Sequence, residues 1–344
     1  MTIHRIPRTT APEPGEYVPM SMDPAMAPAE RGKTARPTSQ RFVKWDACAA
    51  IRTKPRQRLR PPGDNGKEYA FFSPDLVPLI AHPLVHERGL GREVTIQHLY
   101  RYLHFTAVLE QQLVNPVLLR IATDGYPFEL PKSMILDAHR IYCDEGYHAL
   151  CAVDLTHQIE ERTGSPALDQ TNPQAFRDLA NLVAGVPESQ RHLLELAFII
   201  VSETLVSAIL TKSHLDVRVE PAIRQVILEH AQDEAVHSAY FSDLARLAWP
   251  QLTPEVRSMI GQHLPQLIIA FLSPDLPHLT RVLTALGYTG EECRRMLSEA
   301  MPRHEVLSGI RNACSVTVGL FRTLGAMQDP GTAAAFRSSG LFNI

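Results

Sequence analysis

The chain is poor in cysteine: the five present, Cys48, Cys143, Cys151, Cys293 and Cys314, form no C-x-x-C pair and leave an odd one over. That pattern argues against a disulfide framework and for reduced thiols in a cytoplasmic protein. The first 30 residues lack an apolar core of signal-peptide type, and no uninterrupted apolar run reaches the roughly 18 residues of a membrane span. An excess of either charge is missing too. With 34 basic and 37 acidic side chains the formal net charge is −3, which gives no general reason to expect nucleic acid or an anionic membrane as partner. There is also no useful stretch of period-two alternation and no repeat at fixed spacing, so strands and solenoids are not indicated.

What remains is helical periodicity along nearly the whole length, and the class is all-α. Residues 1–60 read as an N-terminal tail, proline-rich to about residue 38 and then basic, with ten Lys or Arg between Arg31 and Arg60 against the single acid Asp46. Such a stretch is either a solvated lead-in to the fold or a docking surface for an acidic carrier protein. Residues 61–330 read as one domain and residues 331–344 as a polar C-terminal tail. Within the domain, an irregular proline-rich stretch with one short helix (69–83) precedes a helix from about Glu93 to Ala122. Pro116 should kink this helix about two turns past Glu110. Further helices follow from Pro131 to Gly164, over about 173–184, from Glu188 to His214, and from Pro221 to before Pro250, then shorter ones to about Leu324.

Fifteen histidines are many, and three of them stand in telling positions. In His230-Ala-Gln-Asp-Glu234-Ala-Val-His237, offsets of 0, 4 and 7 fall within about 60° on a helix, so two imidazoles and a carboxylate share one stripe. A shorter copy stands upstream as Asp144-Glu145-Gly-Tyr-His148. Acid-x-x-His alone is weak: 37 acids and 15 histidines in 344 residues give about 1.6 such pairs by chance, and the chain has four. Asp154/His157 reads as a solvated pair and Asp275/His278, between Pro274 and Pro277, as loop.

Two isolated glutamates carry the argument further. Glu110 is flanked at helical spacing by Leu103, Thr106, Ala107, Leu113, Val114 and Val117, and Glu203 by Leu196, Ile199, Ile200, Val206, Ser207 and Leu210. Both therefore face a core, where an unpaired carboxylate costs several kcal/mol or more unless a cation compensates it. One Glu from each of two helices and one Glu-x-x-His from each of two others is the ligand set of a ferritin-like four-helix di-iron bundle.

At this point the chain resembles the di-iron N-oxygenases of the p-aminobenzoate N-oxygenase type. The resemblance covers about residues 95–240 and rests on ligand order and spacing, above all on His230, four residues before Glu234, where generic di-iron proteins have no histidine. It implies a ferritin-like domain with additional C-terminal helices. Two iron ions (Fe2+/Fe3+) would be bound by Glu110, Glu145, His148, Glu203, His230, Glu234 and His237, with Glu145 and Glu234 bridging. The implied reaction uses O2 to N-oxygenate a small amine, arylamine or amino-acid-derived, to a hydroxylamine or beyond in natural-product biosynthesis, with an external electron donor. A homodimer is expected.

Other roles follow by position. Asp144 and Asp233 are read either as exposed helix charge or as acceptors of the distal N–H groups, Asp233 from His148 and Asp144 from His237. Tyr102 matches a substrate-pocket tyrosine of the family, with core packing as its alternative. Arg311, in an apolar stretch, is a candidate clamp for a substrate carboxylate or the partner of an internal salt bridge. The competing enzyme reading is a di-iron C-hydroxylase or desaturase of a carrier-bound acid, and the non-enzymatic one is iron storage.

Overall fold

The computed structural model describes residues 42–61 and 68–341, apart from the side chains of 207–213. Among the described residues there is no β-strand, only an isolated bridge between Ala70 and Val219. Two short helices, α1 (Trp45–Cys48) and α2 (Ala50–Thr53), precede two 3-10 turns and α3 (Pro83–Glu87). The bundle proper consists of α4 (Gly91–Leu109) with its continuation α5 (Asn115–Ala122), then α6 (Lys132–Thr163), α8 (Glu188–Ser213) and α9 (Pro221–Ala248). Helix α7 (Gln174–Ala184) links α6 to α8. An outer layer comprises α10 (Pro254–Leu272), α11 (Leu276–Ala285), α12 (Gly290–Ala300), α13 (Arg303–Ala313), α14 (Ser315–Thr323) and α15 (Pro330–Ser338). Helices α4 and α5 pack on α6, α6 on α9, and α8 on α9, while α10, α13 and α14 cover α8.

Start and stop signals act as expected from elementary stereochemistry. Pro131 stands at the N-cap of α6, and Gly164 ends it at φ 70°, where a Cβ would be strained. Proline enters the first turn of α9 as Pro221. Pro116 acts differently from expectation. The distortion begins at Glu110 itself, as a π-helical segment Glu110–Val114 between α4 and α5, in which the Asn115 N–H donates to the Glu110 carbonyl five residues back. Because Pro116 has no N–H to donate, the chain absorbs one extra residue just before it, and such bulges gather at functional sites.

The apolar side chains form two clusters with a polar stratum between them. Along α6, Met134, Ala138 and Ile141 belong to the first cluster and Ala152, Leu155 and Ile159 to the second. Along α9 the order is reversed: Ile223 and Ile227 belong to the second, Tyr240, Phe241 and Leu244 to the first. Residues 144–148 and 230–237 fall between, so the bundle closes a dry seal above and below whatever these side chains hold.

Two parts read as tails are built into the fold. Residues 331–344 were expected to be a polar tail, yet Pro330–Ser338 is helical, Phe336 is fully buried, and α15 packs on α10. The packing is close because residue 261 is glycine: a Cβ there would lie 2.1 Å from Thr332 Oγ1. Hydrophobic periodicity could not show this over a nine-residue helix whose apolar face is mostly alanine. At the other end, Phe42 and Ala50 are buried, so the basic stretch is not wholly solvated; the proline-rich tail expected before it lies outside the described residues. Truncation of a fully buried aromatic leaves a cavity, so Phe336→Ala should lower unfolding stability by about 3–5 kcal/mol, as read from the denaturant midpoint.

Candidate metal centre

Four helices bring the seven predicted ligands together. Glu110 comes from the α4–α5 junction, Glu145 and His148 from α6, Glu203 from α8, and His230, Glu234 and His237 from α9. All are buried, none more than 6% exposed. The ligand atoms form two clusters, His148/His230/Glu234 and Glu145/Glu203/Glu234/His237, each with its atoms within 4.8 Å of one another, and the clusters share Glu234. His237 Nδ1 is 2.9 Å from Glu145 Oε1 and 3.3 Å from Glu234 Oε1; His148 Nδ1 is 2.9 Å from Glu145 Oε2. His230 Nε2 lies 3.2 Å from Glu234 Oε1 and 3.9 Å from Glu110 Oε1.

The outer nitrogens are engaged as well. His148 Nε2 is 3.2 Å from Asp233 Oδ2, and His237 Nε2 is 3.2 Å from Asp144 Oδ2. With those N–H groups donated outward, both Nδ1 atoms face inward, where loss of a proton would free their lone pairs for metal. His230 has the opposite arrangement, Nε2 inward and Nδ1 at 3.3 Å from the Tyr102 hydroxyl.

The donor set fits divalent metal. Glu110 Oε2 and Glu203 Oε2 are buried with no hydrogen-bond partner, and among the described residues no Lys or Arg pairs with Glu110, Glu145 or Glu203. Carboxylate and imidazole donors suit iron or manganese. Without a cation the site must share protons. Burial and the neighbouring glutamates push Glu110 and Glu203 well above the usual carboxylate range. For Glu234, burial raises the pKa, but the contacts with His237 and His230 outweigh it and hold the group low. Burial opposes protonation of His148, yet hydrogen bonds to Asp233 and Glu145 prevail and push it up to about 10. His230 moves the other way, lowered by burial and by His148.

A cavity of about 400 Å3 lies on one face of α4, with walls that include Val94, His98, Arg101, Tyr102, Phe105 and Phe271. Tyr102 is also part of a smaller cavity against His148 and His230, and so forms the partition between the large cavity and the cluster. Burial, reinforced by His278, keeps His98 neutral, its pKa lowered to about 4. Arg101 pairs with Asp275, but its Nη1 is buried without a hydrogen-bond partner.

Arg311 does not join this site. It is exposed and donates to the Gly340 carbonyl behind α15, because its side of α13 faces solvent rather than the core. The guanidinium that does line a cavity, Arg101, went unnoticed in the sequence. Its one local signal is its place directly before Tyr102; its helical neighbours Gln97, His98 and His104 are polar and do not announce burial. Asp275 is the N-cap of α11, accepting from the His278 N–H at 3.0 Å, so the pair read as loop opens a helix. Asp154, read as solvated, accepts from Arg56 Nε at 2.8 Å.

A helical bundle with two sets of buried Glu and His donors defines a di-metal carboxylate protein. Residues 61–325 match the family of P-aminobenzoate N-oxygenase AurF, and the chain belongs to that family. Its activity is accordingly that of an oxygen-dependent di-iron monooxygenase that N-oxygenates arylamines in natural-product biosynthesis; no observation favours a C-hydroxylase or desaturase. No helix among the described residues is long and apolar enough to cross a membrane.

Metal uptake should displace protons. Metal affinity, measured by chelator competition in a series of buffers, should rise with pH, because binding releases protons. The linkage for the metal-free protein has a definite sign. A histidine raised from 6.5 to about 10 on folding contributes stability that is full below about pH 6.5 and lost as pH rises through about 10. Apoprotein melting temperatures should therefore fall across that window, and metal-loaded protein should not show the same loss.

Proposed function

We propose that Glu110, Glu145, His148, Glu203, His230, Glu234 and His237 hold two iron ions that cycle between Fe2+ and Fe3+, and that O2 is the co-substrate for N-oxygenation of a free, one-ring arylamine bearing an anionic group. The observation that carries the assignment is the pair of buried ligand clusters sharing Glu234. Two irons held by these residues would supply the electrons for O2 reduction, one oxygen going to the amine nitrogen and the other leaving as water, with an external donor restoring the electrons.

The remaining work belongs to the side chains. Asp144 and Asp233 fix the ring orientations of His237 and His148, and the apolar layers on either side, with Leu103 and Ile199 nearly inaccessible, exclude bulk water. In the large cavity, Val94, Phe105 and Phe271 offer an apolar bed for an aromatic ring, and its volume falls within the range for small ligands. Arg101 Nη1, buried without a partner, takes the substrate's anion in place of the exposed Arg311. His98, neutral, adds no competing charge. Tyr102 then separates the ring from the irons and gates the approach of the amine. The free thiols suit a cytoplasmic setting, and the expected homodimer belongs to the same reading; a carrier protein is not needed for a substrate of this size.

Two enzyme variants test this. Iron-loaded protein with a reductant and O2 should convert p-aminobenzoate to hydroxylamine, nitroso or nitro products detectable by mass spectrometry. Arg101→Met should raise KM for p-aminobenzoate about 10- to 100-fold, the size of a lost charge-assisted hydrogen bond, with little effect on aniline. His230→Ala should lose N-oxygenation from both amines. An absence of any N-oxygenated product from wild type across an arylamine panel would sink the assignment.

A further inference from the structure

The two aspartates behind the histidines have a second set of partners, and these come from the stretch that the sequence presents as a tail. Residues 42–60 cross the outer surfaces of α6 and α9. Phe42 is buried with its ring edge-on to Tyr240 at 6.3 Å. Trp45 Nε1 donates to Asp144, at 2.8 Å to Oδ2 and 3.1 Å to Oδ1. The Ala50 backbone N–H donates to Asp233 Oδ2 at 3.2 Å. Further along, Gln57 Nε2 donates to Glu229 at 3.0 Å, and the backbone N–H groups of Leu59 and Arg60 donate to Gln158 and Glu220 at 2.9 and 3.0 Å.

The arrangement repeats. Asp144 Oδ2 accepts from Trp45 on one side and stands 3.2 Å from His237 Nε2 on the other; Asp233 Oδ2 accepts from Ala50 and stands 3.2 Å from His148 Nε2. Asp144 and Asp233 are the equivalent first residues of the two Asp-Glu-x-x-His motifs, each serves the histidine of the other motif, and one strap donor reaches each. A carboxylate held by an imidazole alone can still rotate about its last bond. A second donor fixes its plane, and the plane of the carboxylate sets the ring whose inner nitrogen binds metal.

We propose that the 42–60 strap belongs to the metal centre: Trp45 is a positioning residue for His237 through Asp144, and the Ala50 N–H positions His148 through Asp233. The inference rests on the di-iron reading of the seven ligands. It makes the strap a requirement for tight, correctly oriented metal rather than for folding of the bundle, since Phe42 is its one member of either apolar cluster, with Trp45 and Leu59 packed against them as partly buried side chains.

The full chain provides the test. Trp45→Phe keeps an aromatic ring and deletes the N–H. Ala50→Pro deletes the other N–H at the first residue of α2, where Ala49 is already extended at φ −58° and ψ 139°, a conformation that tolerates a following proline. Each protein is titrated anaerobically with Fe2+ against a chelator, and with Co2+ while the d–d absorption is recorded; the apoprotein melt is measured beside them. Wild type should take up two ions, which tests the di-iron reading separately from the strap. Each variant should then bind metal about tenfold or more weaker, with an altered Co2+ spectrum and an apoprotein melt close to wild type. Two-ion wild type with unchanged affinity and spectrum in both variants would overturn the proposal. So would a lowered apoprotein melt in both with unchanged metal binding, because that is the behaviour of a structural contact.

Discussion

Everything in this fold answers to the concentration of buried carboxylates. Glu110, Glu145, Glu203 and Glu234 lie within one polar stratum of a helical bundle, where leaving several acids ionised and uncompensated would cost far more than a domain's net stability of about 5–15 kcal/mol. Three histidines and shared protons relieve part of that in the metal-free protein. The four-helix arrangement, the two apolar layers that seal the stratum, and the aspartates behind the imidazoles are all consistent with a cation completing the balance.

The constraint also rationalises local irregularities. The π-helical segment starts at Glu110, where an ordinary α-helical register running into Pro116 would leave a backbone carbonyl without its donor. The extra residue taken up there offsets the register of α5 from that of α4, and α5 packs against α6. The large cavity and the ligand cluster both adjoin α4 and meet at Tyr102.

Much of this was legible in the sequence because it depends on spacing along single helices. Glu234 and His237, or Glu145 and His148, lie one turn apart wherever the helix goes, and an acid surrounded by leucine and valine at helical spacing announces its own burial. The helix borders at Pro131, Gly164 and Pro221 were readable for the same local reason. What failed depended on the third dimension. Arg311 lies in an apolar-looking stretch but on the solvent side of a short helix, while Arg101, on a long and well-defined one, turns inward beside Asp275. Helix α15 carries too few large side chains to show a period, and its place against Gly261 is visible only once α10 is in position. The role of Trp45 was the least accessible, since its partner Asp144 lies 99 residues away.

A crystal structure of the iron-loaded protein, with anomalous data collected at the iron absorption edge, would locate the metal. Two iron peaks should appear in the polar stratum, with Glu234 contacting both and His230 Nε2 bound to one. A single peak, or two peaks with the His230 ring turned away from them, would contradict the seven-ligand di-iron assignment.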